Sequence, residues 1–120
     1  NYDASSISNT VTGLTEQGLP PYVMIDCSHG NSRKDYRNQP VVAKELCEQI
    51  ASGSTAIAGV MLESNLIEGS QKLGPRESMT RGQSVTDACL GWDDTVAVLE
   101  SFAESIRARR KIARVAPSGE

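Results

Sequence analysis

The sequence lacks the features that define several large classes of protein. Its 120 residues carry 12 Lys and Arg against 15 Asp and Glu, a net charge of −3. This acidic balance argues against a nucleic-acid partner. No apolar run approaches the roughly 20 residues that a membrane-spanning helix needs, and the first residues show no signal-peptide pattern. The sequence therefore predicts a globular protein that works without nucleic acid and without a membrane.

Cysteine is also scarce. Cys27, Cys47 and Cys89 form no Cys-x-x-Cys motif, and an odd number of cysteines argues against a disulfide framework. Free cysteines are typical of a reducing compartment, so we expect a cytoplasmic protein. The sequence begins with Asn1 rather than Met, and its first residues resemble the middle of a longer domain. We therefore expect residues 1–120 to be a fragment of a single domain.

Helical periodicity alternates with apolar runs along the chain. Ile7, Val11 and Leu14 share one face of a helix, whereas Tyr22–Cys27 and Ala56–Leu62 are continuous apolar runs, typical of strands covered on both faces. The sequence predicts helices at residues 3–17, 40–50 and 93–112, and strands at 22–27, 56–62 and 84–86. An irregular loop at 64–83 separates the second and third strands. This alternation predicts an α/β fold of about three parallel βα units. Residues 113–120 are predicted to be a flexible tail.

Each of the three predicted strands leads to a side chain that can bind a metal. His29, the only histidine, follows the first strand, Glu63 follows the second and Asp87 the third. The carboxyl ends of parallel strands meet at one edge of a sheet, which is where α/β proteins collect their functional groups. One imidazole and two carboxylates suit Mn, Fe, Co or Zn. Asp26 is placed to accept a hydrogen bond from His29 and orient it.

Each of these residues also has a purely structural interpretation. His29 can be a hydrogen-bonded strand terminus, Glu63 a solvated one, and Asp87 a helix cap or turn residue. Cys89 lies two residues beyond Asp87 and could add a thiolate, although a buried and inert cysteine is the simpler interpretation. Residue types and spacing alone leave these alternatives open.

Several longer motifs occur in one order along the chain. They are Asp26-Cys27-Ser28-His29-Gly30-Asn31, Gly59-Val60-Met61-Leu62-Glu63-Ser64-Asn65, Glu68-Gly69-Ser70-Gln71, and Gly82-Gln83-Ser84-Val85-Thr86-Asp87-Ala88-Cys89 with Gly91-Trp92. Through them the sequence resembles the C-terminal portion of class I 3-deoxy-D-arabino-heptulosonate 7-phosphate (DAHP) synthases, of the amino-acid-regulated bacterial and fungal type. The resemblance covers roughly residues 20 to 110.

The resemblance implies a fold, a reaction and a set of ligands. The fold is a (β/α)8 barrel, of which this chain would be the C-terminal part. The reaction is the metal-dependent condensation of phosphoenolpyruvate with erythrose 4-phosphate, the first step of the shikimate pathway. The family binds its divalent metal with a cysteine, a histidine, a glutamate and an aspartate, and the last three fall on His29, Glu63 and Asp87. His29 would then be a catalytic residue as well as a ligand.

The rest of the family's functional apparatus has no counterpart in this chain. Cys27 and Cys89 lie at other positions than the family's cysteine ligand. The residues that bind the substrate phosphates, the pocket for regulatory aromatic amino acids and much of the interface of the homo-oligomer lie mostly upstream in the family. Two alternatives follow: a truncated chain that is inactive by itself, or the related 3-deoxyoctulosonate 8-phosphate synthase reaction on arabinose 5-phosphate. The motifs from Asp26 to Asn31 and from Ser84 to Trp92 favour the heptulosonate reaction over the second.

Overall fold

Three α-helices and a two-stranded parallel sheet make up most of the regular structure of residues 1–115, the part of the chain that the computed structural model describes. Two single-turn 3-10 helices, Tyr36–Asn38 and Arg76–Ser78, lie in the connections. The elements are α1 (Ala4–Glu16), β1 (Val23–Asp26), α2 (Gln39–Ala51), β2 (Ile57–Met61) and α3 (Trp92–Val115). The chain is thus an α/β piece, as the sequence predicts. The closed barrel is not present in the described residues.

Helix α1 begins and ends where the sequence predicts. The carboxylate of Asp3 accepts hydrogen bonds from the Ser6 amide at 2.9 Å and the Ser6 hydroxyl at 2.6 Å. These bonds cap the first turn, and they lower the pKa of Asp3. At the other end Gly18 adopts a φ of 69°, and its amide donates to the Thr15 carbonyl at 3.0 Å. A glycine with positive φ is a common helix terminator.

Strands β1 and β2 are neighbours and run parallel, with α2 as the connection between them. Ile25 pairs with Val60 and Asp26 with Met61, and the register shifts once, between Val23 and Met24. The Cys27 amide donates to the Met61 carbonyl at 2.9 Å, just past the last of these pairs. The residues that follow both strands therefore emerge at the same edge of the sheet.

Within residues 1–115, one face of the sheet packs against the helices and the other is open. The core cluster consists of buried side chains from α1, α2, both strands and the residue after β1: Ile7, Ile25, Cys27, Val42, Leu46, Ile50 and Ile57. Phe102 and Ile106 of α3 pack against it. Burial raises the pKa of the Cys27 thiol to about 12, so this cysteine is inert. On the opposite face Met24 is 66% exposed. The core thus fixes the two strand ends while the sheet keeps an uncovered apolar face.

The predicted third strand at Ser84–Thr86 is wrong. Within the described residues, Ser84 forms only an isolated bridge with Ser70, and the Thr86 amide donates to the Ser84 hydroxyl oxygen at 3.1 Å. A serine hydroxyl that bonds the backbone two residues later favours a turn over an extended ladder. The segment therefore pairs with the preceding loop and not with β2.

The long connection from Ser64 to Gly91 lacks a regular crossover helix, as the sequence predicts for residues 64–83, but it is well hydrogen-bonded. Gly69 and Cys89 exchange both backbone hydrogen bonds, at 2.8 and 3.1 Å. The side chain of Gln71 donates to the Thr80 carbonyl at 2.7 Å and accepts from the Thr80 amide at 2.9 Å. These bonds fold the connection back on itself, so that residues 84–90 return to the end of β2.

Gly82 packs closely against Leu66 within this connection. Its φ is 79°, and a Cβ added there would lie 2.8 Å from Cβ of Leu66. We expect Gly82→Ala to destabilise the chain by about 1–3 kcal/mol, measured by urea unfolding. Gly13→Ala, with no atom within 4 Å of its added Cβ, is the control and should stabilise by about 0.5–1 kcal/mol because it lies inside a helix. Equal effects of the two substitutions would contradict the packing of this connection.

Helix α3 extends further than the sequence predicts. It runs to Val115, so residues 113–115 of the predicted tail are helical, and residues 116–120 lie outside the described part of the chain. Its first turn carries Asp93 and Asp94, as expected at the positive end of the helix dipole. Among the described helices, none combines the length and the apolar character that crossing a bilayer requires.

Candidate metal centre

The three ligands predicted from the strand ends lie together. One ligand atom each from His29, Glu63 and Asp87 fall within 4.8 Å of one another. Nε2 of His29 lies 3.9 Å from Oε1 of Glu63 and 3.9 Å from Oδ2 of Asp87. One imidazole nitrogen between two carboxylate oxygens is a donor set that divalent transition metals and zinc accept. The residues present therefore fit a divalent ion.

Asp26 determines the direction of the His29 ring. Oδ2 of Asp26 lies 2.8 Å from Nδ1 of His29, and Oδ1 accepts a hydrogen bond from the Ser28 amide at 2.7 Å. The backbone of His29 has a φ of 44°, an uncommon conformation for a residue other than glycine. Since Nδ1 is occupied by Asp26, Nε2 is the nitrogen that faces Glu63 and Asp87, which is the arrangement expected for a histidine held by a carboxylate.

The acidic surroundings raise the pKa of His29. The hydrogen bond that the imidazole donates to Asp26 is the largest cause, followed by the charge of Asp26, and the charges of Glu63 and Asp87 add to it. Because the folded pKa lies above the unfolded one, protonation of His29 stabilises the fold fully below about pH 6.5. This contribution is lost as the pH rises through the folded pKa. A metal ion at Nε2 must displace that proton, so metal affinity should fall as the pH falls.

Asp26→Asn should lower the pKa of His29 toward its ordinary value of about 6.5, because the strongest partner of the imidazolium loses its charge. The chain holds a single histidine, so one imidazole resonance followed by NMR in the metal-free chain reports the titration directly. Asp35→Asn is the control, since Asp35 binds Arg37 rather than His29. An unchanged His29 pKa in Asp26→Asn would contradict the assigned contact.

Glu63 is held through both its side chain and its backbone. The hydroxyl of Ser28 donates to Oε2 at 2.9 Å, and the side-chain amide of Gln39 bonds both the amide and the carbonyl of Glu63. The sequence prediction missed Ser28 and Gln39. Ser28 could have been found because it adjoins His29 in the motif, whereas no local signal connects Gln39 with a residue 24 positions away.

Asp87 reaches the cluster from a loop rather than from a strand. Its side chain is the most exposed of the three, at 70%. The backbone pairing of Gly69 with Cys89 holds the segment in place, and the Cys89 thiol donates to the Asp87 carbonyl at 3.4 Å. Burial is the main cause of the raised pKa of Cys89, which disfavours the thiolate that a metal needs. Cys89 is therefore a buried structural cysteine in this conformation.

The cluster opens into a cleft of about 170 Å³. Lys34 is the one lysine or arginine among its lining residues, which are Ser28, His29, Lys34, Tyr36, Glu63, Asp87 and Ala88. A larger hollow of about 580 Å³ lies between α1 and the end of α2, but Glu48 is its only ionisable lining residue. The smaller cleft has the chemical groups that a functional site needs.

The chain forms a parallel β-α-β unit, and its polar groups collect beyond the carboxyl ends of the strands. Enzymes of the α/β class carry their active sites at this position. The family model described as "DAHP synthetase I family" matches residues 1–100. The chain belongs to this family, which confirms the resemblance seen in its motifs.

Individual relatives agree with this assignment. The chain is 48% identical over 110 residues to the Phe-sensitive phospho-2-dehydro-3-deoxyheptonate aldolase of Escherichia coli K12. This match covers 92% of the chain and 31% of the relative. It is 50% identical over 118 residues to the phenylalanine-inhibited aldolase of Saccharomyces cerevisiae, covering 92% and 32%. The solved structure of the aldolase from Francisella tularensis SCHU S4 superposes with a TM-score of 0.85 at 42% identity, covering 91% of the chain and 31% of that structure. The chain thus spans about a third of the length of these relatives.

Proposed function

We propose that the chain is the C-terminal portion of the catalytic barrel of a DAHP synthase, in which it provides three ligands to a divalent metal ion. The observation that carries this proposal is the convergence of His29, Glu63 and Asp87, whose ligand atoms lie within 4.8 Å of one another at the carboxyl edge of the sheet. Membership of the family supports the DAHP synthase reaction among the many that a metal cluster alone would allow.

The open sheet supports the place of the chain in a larger barrel. Two parallel strands cannot close a barrel, which needs eight. The exposed face around Met24 and the uncovered outer edges of β1 and β2 are surfaces that further strands would cover. The relatives are about three times as long as the chain. In this proposal the missing portion supplies the cysteine ligand, most phosphate-binding residues and most of the contacts of a homo-oligomer. The three buried free cysteines favour the reducing cytoplasm.

The proposed reaction joins phosphoenolpyruvate to erythrose 4-phosphate. The methylene carbon of phosphoenolpyruvate forms a bond to the aldehyde carbon as both double bonds open, and the aldehyde oxygen takes up a proton. A water molecule adds to the adjacent cationic carbon and loses a proton, and inorganic phosphate leaves as the ketone forms. A bound Mn, Fe, Co or Zn ion would supply a Lewis acid for the aldehyde oxygen. Both substrates are anions, and Lys34 is the cation of this chain that lines the cleft.

The residues of the chain have separate tasks in this scheme. Glu63 and Asp87 supply negative charge for the divalent cation, and His29 supplies the nitrogen donor. Asp26 keeps Nε2 of His29 directed at the cleft through the 2.8 Å contact with Nδ1. We also assign His29 a catalytic role. While Nε2 holds the metal it carries no proton, so His29 can exchange a proton only at Nδ1, toward Asp26.

The test is an assay of the protein expressed at the full length that its gene encodes. We expect phosphate release from phosphoenolpyruvate to depend on erythrose 4-phosphate, to stop in EDTA and to return with Mn²⁺. Arabinose 5-phosphate in place of erythrose 4-phosphate tests the octulosonate alternative, and the isolated 120-residue chain tests whether this portion is inactive by itself. A full-length protein that retains its full rate after complete removal of metal would overturn the proposal.

A further inference from the structure

We propose that Gln39 is a positioning residue that fixes the backbone of Glu63 and, through it, the segment that carries Asp87. This inference rests on the metal site of the proposed function. It adds a residue of α2 that touches no ligand atom of the cluster and acts on two of the three candidate ligands.

The backbone of Glu63 needs a partner that the sheet does not supply. The paired positions of β2 end at Met61, opposite Asp26. Two residues later, the Glu63 amide donates to Oε1 of Gln39 at 2.7 Å, and Nε2 of Gln39 donates to the Glu63 carbonyl at 2.9 Å. The side-chain amide of Gln39 thus forms the same pair of bonds that a neighbouring strand would form. It extends the hydrogen bonding of β2 as far as Glu63, the candidate metal ligand.

Gln39 is in a position to hold Glu63 firmly. It is the first residue of α2 and its side chain is completely buried, with 0% exposure. A buried amide is costly unless its donors and acceptors are paired. The Gln39 side chain makes two hydrogen bonds, and both are to the backbone of Glu63. The helix behind it is anchored by Val42 and Leu46 in the core. The position of the amide is therefore set by the core.

The carbonyl of Glu63 joins three segments of the chain. It accepts from Gln39, and it also accepts from the amide of Leu90 at 2.9 Å. Leu90 lies three residues beyond Asp87, on the segment that returns to the sheet. One oxygen therefore ties the start of α2, the end of β2 and the Asp87 segment together. The His29 ring is held by Asp26, and Ser28 links the two supports because it bonds both Asp26 and the Glu63 carboxylate. Gln39 acts on the backbone of Glu63 alone.

Gln39→Met tests this role, because Met has a similar volume and cannot form either hydrogen bond. The matched control is Gln49→Met on the same helix, where the side-chain amide donates to the Tyr2 carbonyl far from the cluster. In the full-length gene product, Mn²⁺ titration followed by EPR should show an affinity about 10–100-fold weaker in Gln39→Met and nearly unchanged in Gln49→Met. Thermal unfolding of both variants without metal separates lost stability from lost affinity.

A second measurement requires no metal. Crystal structures of the metal-free variants should show the Glu63 carboxylate displaced from His29 in Gln39→Met and unmoved in Gln49→Met. Gln39→Asn, one methylene shorter, should give the same displacement if the Met variant does not fold. An unmoved Glu63 or an equal loss of affinity in the two Met variants overturns the role of Gln39. If the wild-type protein binds no Mn²⁺, the proposed function fails, while the crystal structures still decide on Gln39.

Discussion

Replacement of Glu63 by Gln is expected to remove the metal from the full-length gene product and to lower its condensation rate by about 10³-fold. The substitution keeps the size of the side chain and removes the charge that a divalent cation requires. A Lewis acid contributes several kcal/mol to the stabilisation of charge in such a reaction, and each 1.36 kcal/mol corresponds to a factor of ten in rate. Metal content by elemental analysis and the rate of phosphate release measure the two effects on one sample.

Replacement of the other two candidate ligands should cause losses of metal and rate that differ in size. His29→Gln removes the only nitrogen donor of the cluster, and should resemble Glu63→Gln. Asp87→Asn should be the mildest, because Asp87 is 70% exposed and water can occupy a vacated position at such a site. Asp93→Asn is the control: Asp93 is an exposed acid in the first turn of α3, outside the cluster. Full metal content in all three ligand variants would contradict the assignment.

Leu46→Ala is expected to destabilise the chain by about 3 kcal/mol, within the usual range of about 2–5 kcal/mol for a fully buried leucine. Leu46 has no exposed surface, and it belongs to the cluster in which α2 packs on both strands. The truncated side chain leaves a cavity that the surrounding strands and helices fill only in part. Urea unfolding followed by circular dichroism measures the change in the free energy of unfolding.

Val41→Ala provides the comparison for Leu46→Ala on the same helix. Val41 is 61% exposed, so its truncation should change the free energy of unfolding by less than about 0.5 kcal/mol. The loss in Leu46→Ala should also move the strand ends that carry the cluster, and metal affinity should fall with stability. Equal effects of the two truncations would mean that α2 does not cover the sheet as described.

The helices and strands with regular apolar patterns could be predicted from the sequence. The spacing of Ile7, Val11 and Leu14 located α1, and the runs ending at Cys27 and Leu62 located β1 and β2. His29 and Glu63 were correctly placed at one edge because parallel strands bring their carboxyl ends together. These predictions depend on local periodicity and on the chain direction, both of which the sequence displays.

The parts that escaped prediction depend on contacts between distant residues. Asp87 lies near its predicted partners His29 and Glu63, but it is carried by a loop rather than by a strand. The Ser84 hydroxyl favours a turn there, and the loop pairs with residues 64–71. Gln39 bonds a residue 24 positions away, and nothing in its local sequence distinguishes it from an ordinary first residue of a helix. The close approach of Leu66 to Gly82 is likewise visible only in three dimensions.

The most direct test of the metal centre is anomalous X-ray diffraction from crystals of the full-length gene product soaked in Mn²⁺. The account predicts one strong anomalous peak at coordination distance from Nε2 of His29 and from carboxylate oxygens of Glu63 and Asp87. It also predicts that Nδ1 of His29 remains hydrogen-bonded to Asp26. A manganese ion bound elsewhere, with these three side chains free of metal, would contradict the account.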